Sequence, residues 1–488
     1  MRSGGGGNKR SLLLLLSAWW LLLGSLVAQL PAARGGSGHV VTRMPGFDGP
    51  LPFHLETGYV EVDEQLGVQL FYYFVRSEKD DPGEDPLLLW LSGGPGCSGL
   101  SGLAYEIGPF HFDARGYRGG FPTLLYRPET WTKVSNIIFM DSPVGTGFSY
   151  ATSDEGLKSS DTQAVRQLAI FLRKWLEEHP EFLPNPLYIG GDSYGGMIVP
   201  ALALQIHTST ELGENPSFNL KGYVTGNPVT DSQFDTDGVV PFLHGMGLIP
   251  YEFYEWFCLQ QNAREMCGGK YSDAASVACA EVTRAIANIT SAVNREHVLE
   301  PACPDDDDDE LFGPKTTMAE TDGGTSRRLM LQSADYFLPA GFKCRRASYV
   351  LSRVWANDET VQESLGVRKG TIGAWKRCNQ DILYNQNVQS VVPYHSRLAA
   401  KGYRALIYSG DHDRIVPFVG TQAWIRYLNL TVVDDWRPWY VGGQVAGALG
   451  ILHRSTSPRS AKRCLGNGFH GILSDITSSE RITYVSLL

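Results

Sequence analysis

A short buried strand running straight into Gly-x-Ser-x-Gly and then into a helix leaves this chain few folds to adopt. The stretch is Leu187-Tyr188-Ile189-Gly190-Gly191-Asp192-Ser193-Tyr194-Gly195, and a helical run follows from Met197 through Leu204. In a nucleophile elbow the serine stands on a strained strand-to-helix turn, where side chains at the flanking glycines would collide with neighbouring backbone. Ser193 is thereby predicted at a helix N-terminus, as a hydrolase nucleophile. Glycine and serine are common, so the bare pentapeptide also fits a plain turn; the strand and helix on either side favour the elbow.

Other short apolar runs bounded by turn residues predict further strands: Leu70 to Val75, Leu87 to Leu91, Asn136 to Met140 and Ala405 to Ser409. Between them, Leu168, Phe171, Leu172, Trp175 and Leu176 recur at helical spacing within Asp161 to His179. Strands alternating with helices predict an α/β class with a largely parallel sheet covered on both faces and a site at the carboxyl ends of strands. From Gly238 to Cys344 the strand signals fade, cysteines stand at 258, 267, 279 and 303, and an acidic run spans Asp305 to Glu310. This stretch reads as an inserted, disulfide-stapled subdomain ending in a polar loop. Cutting beside Arg327 and Arg328 during maturation is one expectation for that loop; an uncut solvated linker is the other.

The 488 residues carry 42 basic and 52 acidic side chains, a net charge of −10, spread along the chain. A nucleic-acid partner needs a basic face and is not expected. Arg2, Lys9 and Arg10 precede an apolar run from Leu12 to Leu30 and small residues from Ala32 to Gly36, the order of a secretory signal. A membrane anchor is the alternative, because the run approaches the ~20 residues that cross a bilayer. With the signal removed, no later segment is long and apolar enough to span. An oxidising compartment, extracellular or vacuolar, would let the eight cysteines pair. Asn288 and Asn429 begin Asn-x-Thr sequons. The cysteines lack paired C-x-x-C spacing and the histidines are scattered, so no metal and no cofactor are expected.

A second glycine-rich stretch, Trp90-Leu91-Ser92-Gly93-Gly94-Pro95-Gly96-Cys97-Ser98-Gly99, also follows an apolar strand. Successive glycines let backbone N–H groups converge on an anion, which suits the oxyanion of acyl transfer. The Lys-Ser/Thr ending of a nucleotide-binding loop is missing.

These two stretches, with D-S-P-V-G-T-G-F-S-Y at 141–150, Y-S-G-D-H-D-R-I-V-P at 408–417 and W-R-P-W-Y-V-G-G-Q-V-A-G at 436–447, resemble the serine carboxypeptidases, and most of all their plant-type relatives. The resemblance covers roughly Phe53 to Gly447. It implies an α/β-hydrolase fold with a helical, disulfide-stapled insertion and a Ser-Asp-His triad in that chain order. Residues 1–33 are then a signal peptide, 40–237 and 346–447 the two parts of the core, 238–345 the inserted cap and acidic loop, and 448–488 a divergent tail. Ser193 matches the nucleophile, Asp413 the triad acid, and the N–H groups of Gly94 and Tyr194 the oxyanion hole. Asp413 follows a predicted strand, as an orienting carboxylate should; Asp411 reads as a turn residue. The resemblance also pairs Cys97 with Cys378, Cys267 with Cys279 and Cys303 with Cys344, leaving Cys258 and Cys464.

The peptidases of this family hold a peptide's free carboxylate through an Asn, a Gly and two Glu residues that share a proton. Gly93 and Glu106 match, but Ser92 stands in place of Asn and Asp192 in place of Glu. The shorter carboxyl and the hydroxyl weaken that grip. These replacements, and Ser-Gly-Leu-Ala-Tyr-Glu-Ile-Gly-Pro at 101–109, resemble the acyltransferase branch, which moves an acyl group from a glucose ester through the same acyl-serine. A Gly-His-Thr-Ala-Pro-like motif should supply the base, yet residues 448–488 match neither it nor the strand expected before it. His470, among glycines, is the first candidate for the base and His453 the second. Three functions follow from the resemblance: release of C-terminal residues from peptides, acyl transfer from glucose esters, or, without a base, a catalytically impaired binding glycoprotein. The expected partners are a peptide or small acyl-ester substrate, with a monomer or a homodimer left open.

Overall fold

The computed structural model describes residues 38–79, 83–254, 263–272, 276–303, 344–453 and 482–487. A twelve-stranded sheet runs through it. Eleven of its strands form one path: β1 (His39–Val41), β2 (Leu55–Asp63), β3 (Val68–Val75), β4 (Leu87–Leu91), β5 (Asn136–Met140), β6 (Leu187–Asp192), β7 (Leu220–Gly226), β8 (Arg404–Gly410), β9 (Thr431–Val441), β10 (Gln444–His453) and β11 (Ile482–Leu487). Their spatial order is β1-β2-β3-β5-β4-β6-β7-β8-β11-β10-β9. From β5 to β11 neighbours are parallel, and the pairs at both ends are antiparallel. Starting from β2, the order reads first, second, fourth, third and then onward in sequence through β8, the α/β-hydrolase arrangement, before β11, β10 and β9 complete the edge.

The central strands are buried on both faces, so they read as continuous apolar runs. Every residue of Leu87–Leu91 and of Asn136–Met140 is buried. One face packs against α1 (Asp161–Glu178) and α2 (Gly195–Glu211). Helix α1 starts because the Ser160 hydroxyl accepts from the Gln163 N–H, and its Leu168, Phe171, Leu172 and Trp175 face the sheet with no exposed surface. Burying each of these side chains contributes roughly 1.5–3 kcal/mol. The other face is covered by Trp90, Trp131, Trp355 and their neighbours.

Between β7 and β8 the chain leaves the sheet for short helices, including α3 (Ser232–Asp237), α4 (Val239–Gly245) and α5 (Val277–Ile289). Val240, Phe242, Leu243, Ile249, Tyr271 and Ile286 make a separate small core there. The Cys267–Cys279 bond staples this part, and Cys303–Cys344 closes its end. The acidic run, Arg327, Arg328, Cys258, Cys464 and the predicted signal lie outside the described residues.

The C-terminal segment, whose sequence does not match the strand that the resemblance implies, supplies a core strand. β11 pairs in parallel with β8, Ala405 opposite Ile482 through Gly410 opposite Leu487. Ile482, Tyr484 and Val485 are buried, with Ile482 and Tyr484 in one core face and Val485 in the other. The β-branched and aromatic run Ile-Thr-Tyr-Val fits a doubly covered strand. The edge of β8 is therefore paired and not exposed. Sequence reading also missed β2, β7 and the β9–β10 hairpin.

Candidate active site

Ser193 follows β6 in a left-handed backbone conformation, φ 51°. A Cβ at Gly191 would lie 2.5 Å from the Leu91 carbonyl oxygen, and one at Gly195 2.8 Å from the same atom. Only glycine fits on either side, which is the physical content of the pentapeptide. The Ser193 N–H donates to the Gly226 carbonyl at 2.9 Å, and its carbonyl accepts from the N–H groups of Gly196 and Val229, each at 2.9 Å. The turn is thus anchored to both α2 and the segment after β7.

The glycine-rich loop after β4 lies against this elbow. A Cβ on Gly93 would sit 2.5 Å from the Ser193 Cβ and 3.0 Å from both its Oγ and the Tyr194 nitrogen. Ser92, Gly93, Gly94, Ser193 and Tyr194 are therefore brought together. Gly94, at φ 118°, turns the loop. Below it, Cys97 is bonded to Cys378, the Ser98 N–H donates to the Arg377 carbonyl and the Asn379 N–H to that of Gly96. Buried Asp141 accepts from the Ser98 hydroxyl at 2.5 Å and from the Gly99 and Phe148 N–H groups, each at 2.8 Å. Burial pushes its carboxyl up to about 7 against those donors. The Tyr194 hydroxyl donates to Asp161 at 2.7 Å, tying the residue after the nucleophile to the start of α1.

Two half-buried carboxyls converge beside the loop. Glu106 accepts from the Trp90 indole N–H at 2.7 Å and from the Ser92 hydroxyl at 3.3 Å. Burial raises Glu106 above the usual range, while the Arg377 and Arg127 charges oppose this. Asp192 is driven well above it by burial and then by the charge of Glu106, with the Gly93 N–H and Arg377 pulling down. One Asp192 oxygen, Oδ1, is buried with no hydrogen-bond partner. Two such groups together favour retaining at least one proton.

Asp413, in the loop after β8, is also half-buried, and that burial raises it. Its Oδ1 accepts from the N–H groups of Ile415 at 2.7 Å and Val416 at 3.1 Å, and its Oδ2 from the Asn227 amide at 2.8 Å. Asn227 follows the Gly226 carbonyl that holds Ser193, so Ser193 and Asp413 flank one turn. Asp411 instead pairs with the neighbouring His412 Nδ1 at 2.6 Å. The His412 ring stacks on His297 from the insertion, centroids 5.0 Å apart. Asn227 and Asp161 were missed as site residues because each acts on a partner distant in sequence, while Asp141 opens the motif at 141–150 without any role being readable from it.

His470 lies outside the described residues. His453 ends β10, and its neighbour Leu452 pairs with Ile482 at the start of β11. That is the amino end of the parallel strands, opposite Ser193. Asn288 and Asn429 are exposed. Among the described residues no group of three His, Cys, Asp or Glu side chains is placed to hold a metal.

Comparison with known proteins agrees with this geometry. The chain matches the serine carboxypeptidase family over residues 45–452. It is 44% identical over 413 residues to serine carboxypeptidase-like 7 of Arabidopsis thaliana, covering 84% of this chain and 85% of that one. To serine carboxypeptidase-like 19 of the same plant it is 46% identical over 417 residues, covering 84% and 86%. A prohormone-processing carboxypeptidase from Saccharomyces cerevisiae superposes with a TM-score of 0.66 at 18% identity, covering 94% and 92%, and shares the fold. On sequence and topology together, this chain belongs to the serine carboxypeptidase family.

Proposed function

We propose that the chain works as a serine carboxypeptidase, releasing C-terminal residues from peptides through an acyl-serine at Ser193. The observation that carries this reading is the half-buried Glu106 and Asp192 pair beside Ser193. Both carboxyls are displaced above the usual range, and a protonated carboxyl can donate to the free carboxylate of a peptide where an ionised one would repel it. With Gly93 and Ser92, the pair would seat the substrate carboxylate and place the last peptide carbonyl at Ser193. The Ser193 oxygen then bonds the carbonyl carbon as its proton passes to a base, for which His470 is the candidate carried from the sequence. The N–H groups of Gly94 and Tyr194 would hold the oxyanion, the C–N bond breaks as the amine takes the proton, and water releases the acyl group.

One observation favours a second reading, acyl transfer from a glucose ester to a hydroxyl acceptor. The Ser92 hydroxyl is directed at Glu106, 3.3 Å from one oxygen and 3.4 Å from the other. It is thus committed inside the protein, and the short Asp192 carboxyl reaches less far than a glutamate would. A blocked dipeptide and a glucose ester plus an alcohol acceptor separate the two. A free C-terminal amino acid supports the peptidase; an ester product with no amino acid release supports the transferase and overturns the peptidase.

We place the protein on the secretory route, extracellular or vacuolar. Three disulfides among the described residues fit an oxidising compartment. Among the same residues no helix is long and apolar enough to cross a membrane.

A further inference from the structure

We infer that Asn227 is a positioning residue that sets the carboxylate of Asp413 and locks the acid loop to the nucleophile elbow. The inference rests on the assignment of Ser193 and Asp413 as nucleophile and acid.

Asn227 is held in a left-handed conformation, φ 39°, a property it shares among non-glycine described residues only with Ser193 and Asn429. Asparagine tolerates that region better than most side chains. Its backbone N–H donates to the Tyr408 carbonyl at 2.8 Å. Its side-chain Oδ1 accepts from the Gly410 N–H at 3.1 Å, and its Nδ2 donates to Asp413 Oδ2 at 2.8 Å. The Gly410 donor fixes the orientation of the amide. Reversed, the NH2 group would face an N–H and the carbonyl would face a carboxylate, both repulsive.

The same turn grips the nucleophile. The Gly226 carbonyl accepts from the Ser193 N–H, and the Val229 N–H donates to the Ser193 carbonyl. A shift of Asn227 therefore moves both ends of the triad. Asp413 Oδ1 is occupied by the N–H groups of Ile415 and Val416. Among the described residues Oδ2 has one donor, Asn227, and keeps one accepting direction for an imidazole N–H. The Asn227 amide thus selects which lone pair remains for the base. It also opposes the burial and the Glu296 charge that push Asp413 upward. The other charged groups nearby in the chain are Asp411, His412 and Arg414 on the acid loop itself.

The test uses the full chain with aspartate carboxyl carbons labelled by 13C, titrated by NMR, with Asp413→Asn to assign the signal. Asn227→Gly keeps the positive φ but deletes the amide, while Asn227→Asp keeps the shape and replaces the donor by an acceptor. The Asp413 transition should rise by about one pH unit in the first and further in the second. With a turned-over substrate, kcat should fall by up to about 100-fold with KM little changed. Folded Asn227→Gly and Asn227→Asp proteins that titrate Asp413 at the wild-type pH would overturn the inference. Because the NMR reading needs no turnover, a wild-type protein that never acylates would sink the acyl-serine reading while Asn227's hold on Asp413 is still measured.

Discussion

At the scale of single residues, close approach governs the site more than charge does. Gly93 leaves no room for a methyl group against Ser193. Gly93→Ala should therefore reduce the rate of Ser193 acylation by at least about 100-fold, since a displacement near 1 Å can cost that much; an unchanged rate in a folded variant would show that the loop can withdraw. Asp192 provides the second test. Its carboxyl is raised, so its proton is retained above the ordinary range and lost as pH climbs through the raised value. Substrate binding that depends on the proton should weaken over that interval, seen as a rise in KM. Asp192→Asn carries a permanent donor and should flatten the rise; a parallel KM profile in the variant would assign the effect elsewhere. Ser193 and its glycines were legible in the sequence because the backbone strain they relieve is local. Asn227 was not, because its carboxylate partner is 186 positions away.

At the scale of elements, legibility followed burial. Leu87–Leu91 and Asn136–Met140 are covered on both faces, and Leu87–Leu91 and residues 137–140 appear in sequence as uninterrupted apolar runs. β7 contains Lys221, Gly222, Thr225 and Gly226, which break the apolar run that marks a buried strand. β11 was missed for a different reason: it was sought within a family motif, while the residues that matter are Ile482, Tyr484 and Val485 under the two core faces. Tyr484→Ala should cost about 3 kcal/mol or more, by analogy with large aromatic truncations in cores, measured by denaturant unfolding. A change below about 0.5 kcal/mol, as for a surface site, would mean that β11 contributes nothing to the sheet.

At the scale of the molecule, buried acids tie stability to pH. Asp141 joins the glycine-rich loop after β4 to the 141–150 turn, and burial takes its carboxyl from the usual 3.8 to about 7. Below the usual value both folded and unfolded chains are protonated and no penalty arises. Between the two values the unfolded chain ionises first, so stability falls as pH rises, at up to about 1.4 kcal/mol per unit. Above about 7 this contribution levels off. Asp141→Asn should remove that part of the slope in thermal unfolding between the two values; an identical slope would mean that Asp141 is ionised throughout.

The proposed function makes acylation of Ser193 the central event. Mass spectrometry of the intact protein and its peptides after an active-site serine reagent tests this most directly. The account predicts one adduct per chain, on the peptide containing Ser193, and none in Ser193→Ala. A folded wild-type protein left unmodified, or modified at another residue and equally so in Ser193→Ala, would contradict it.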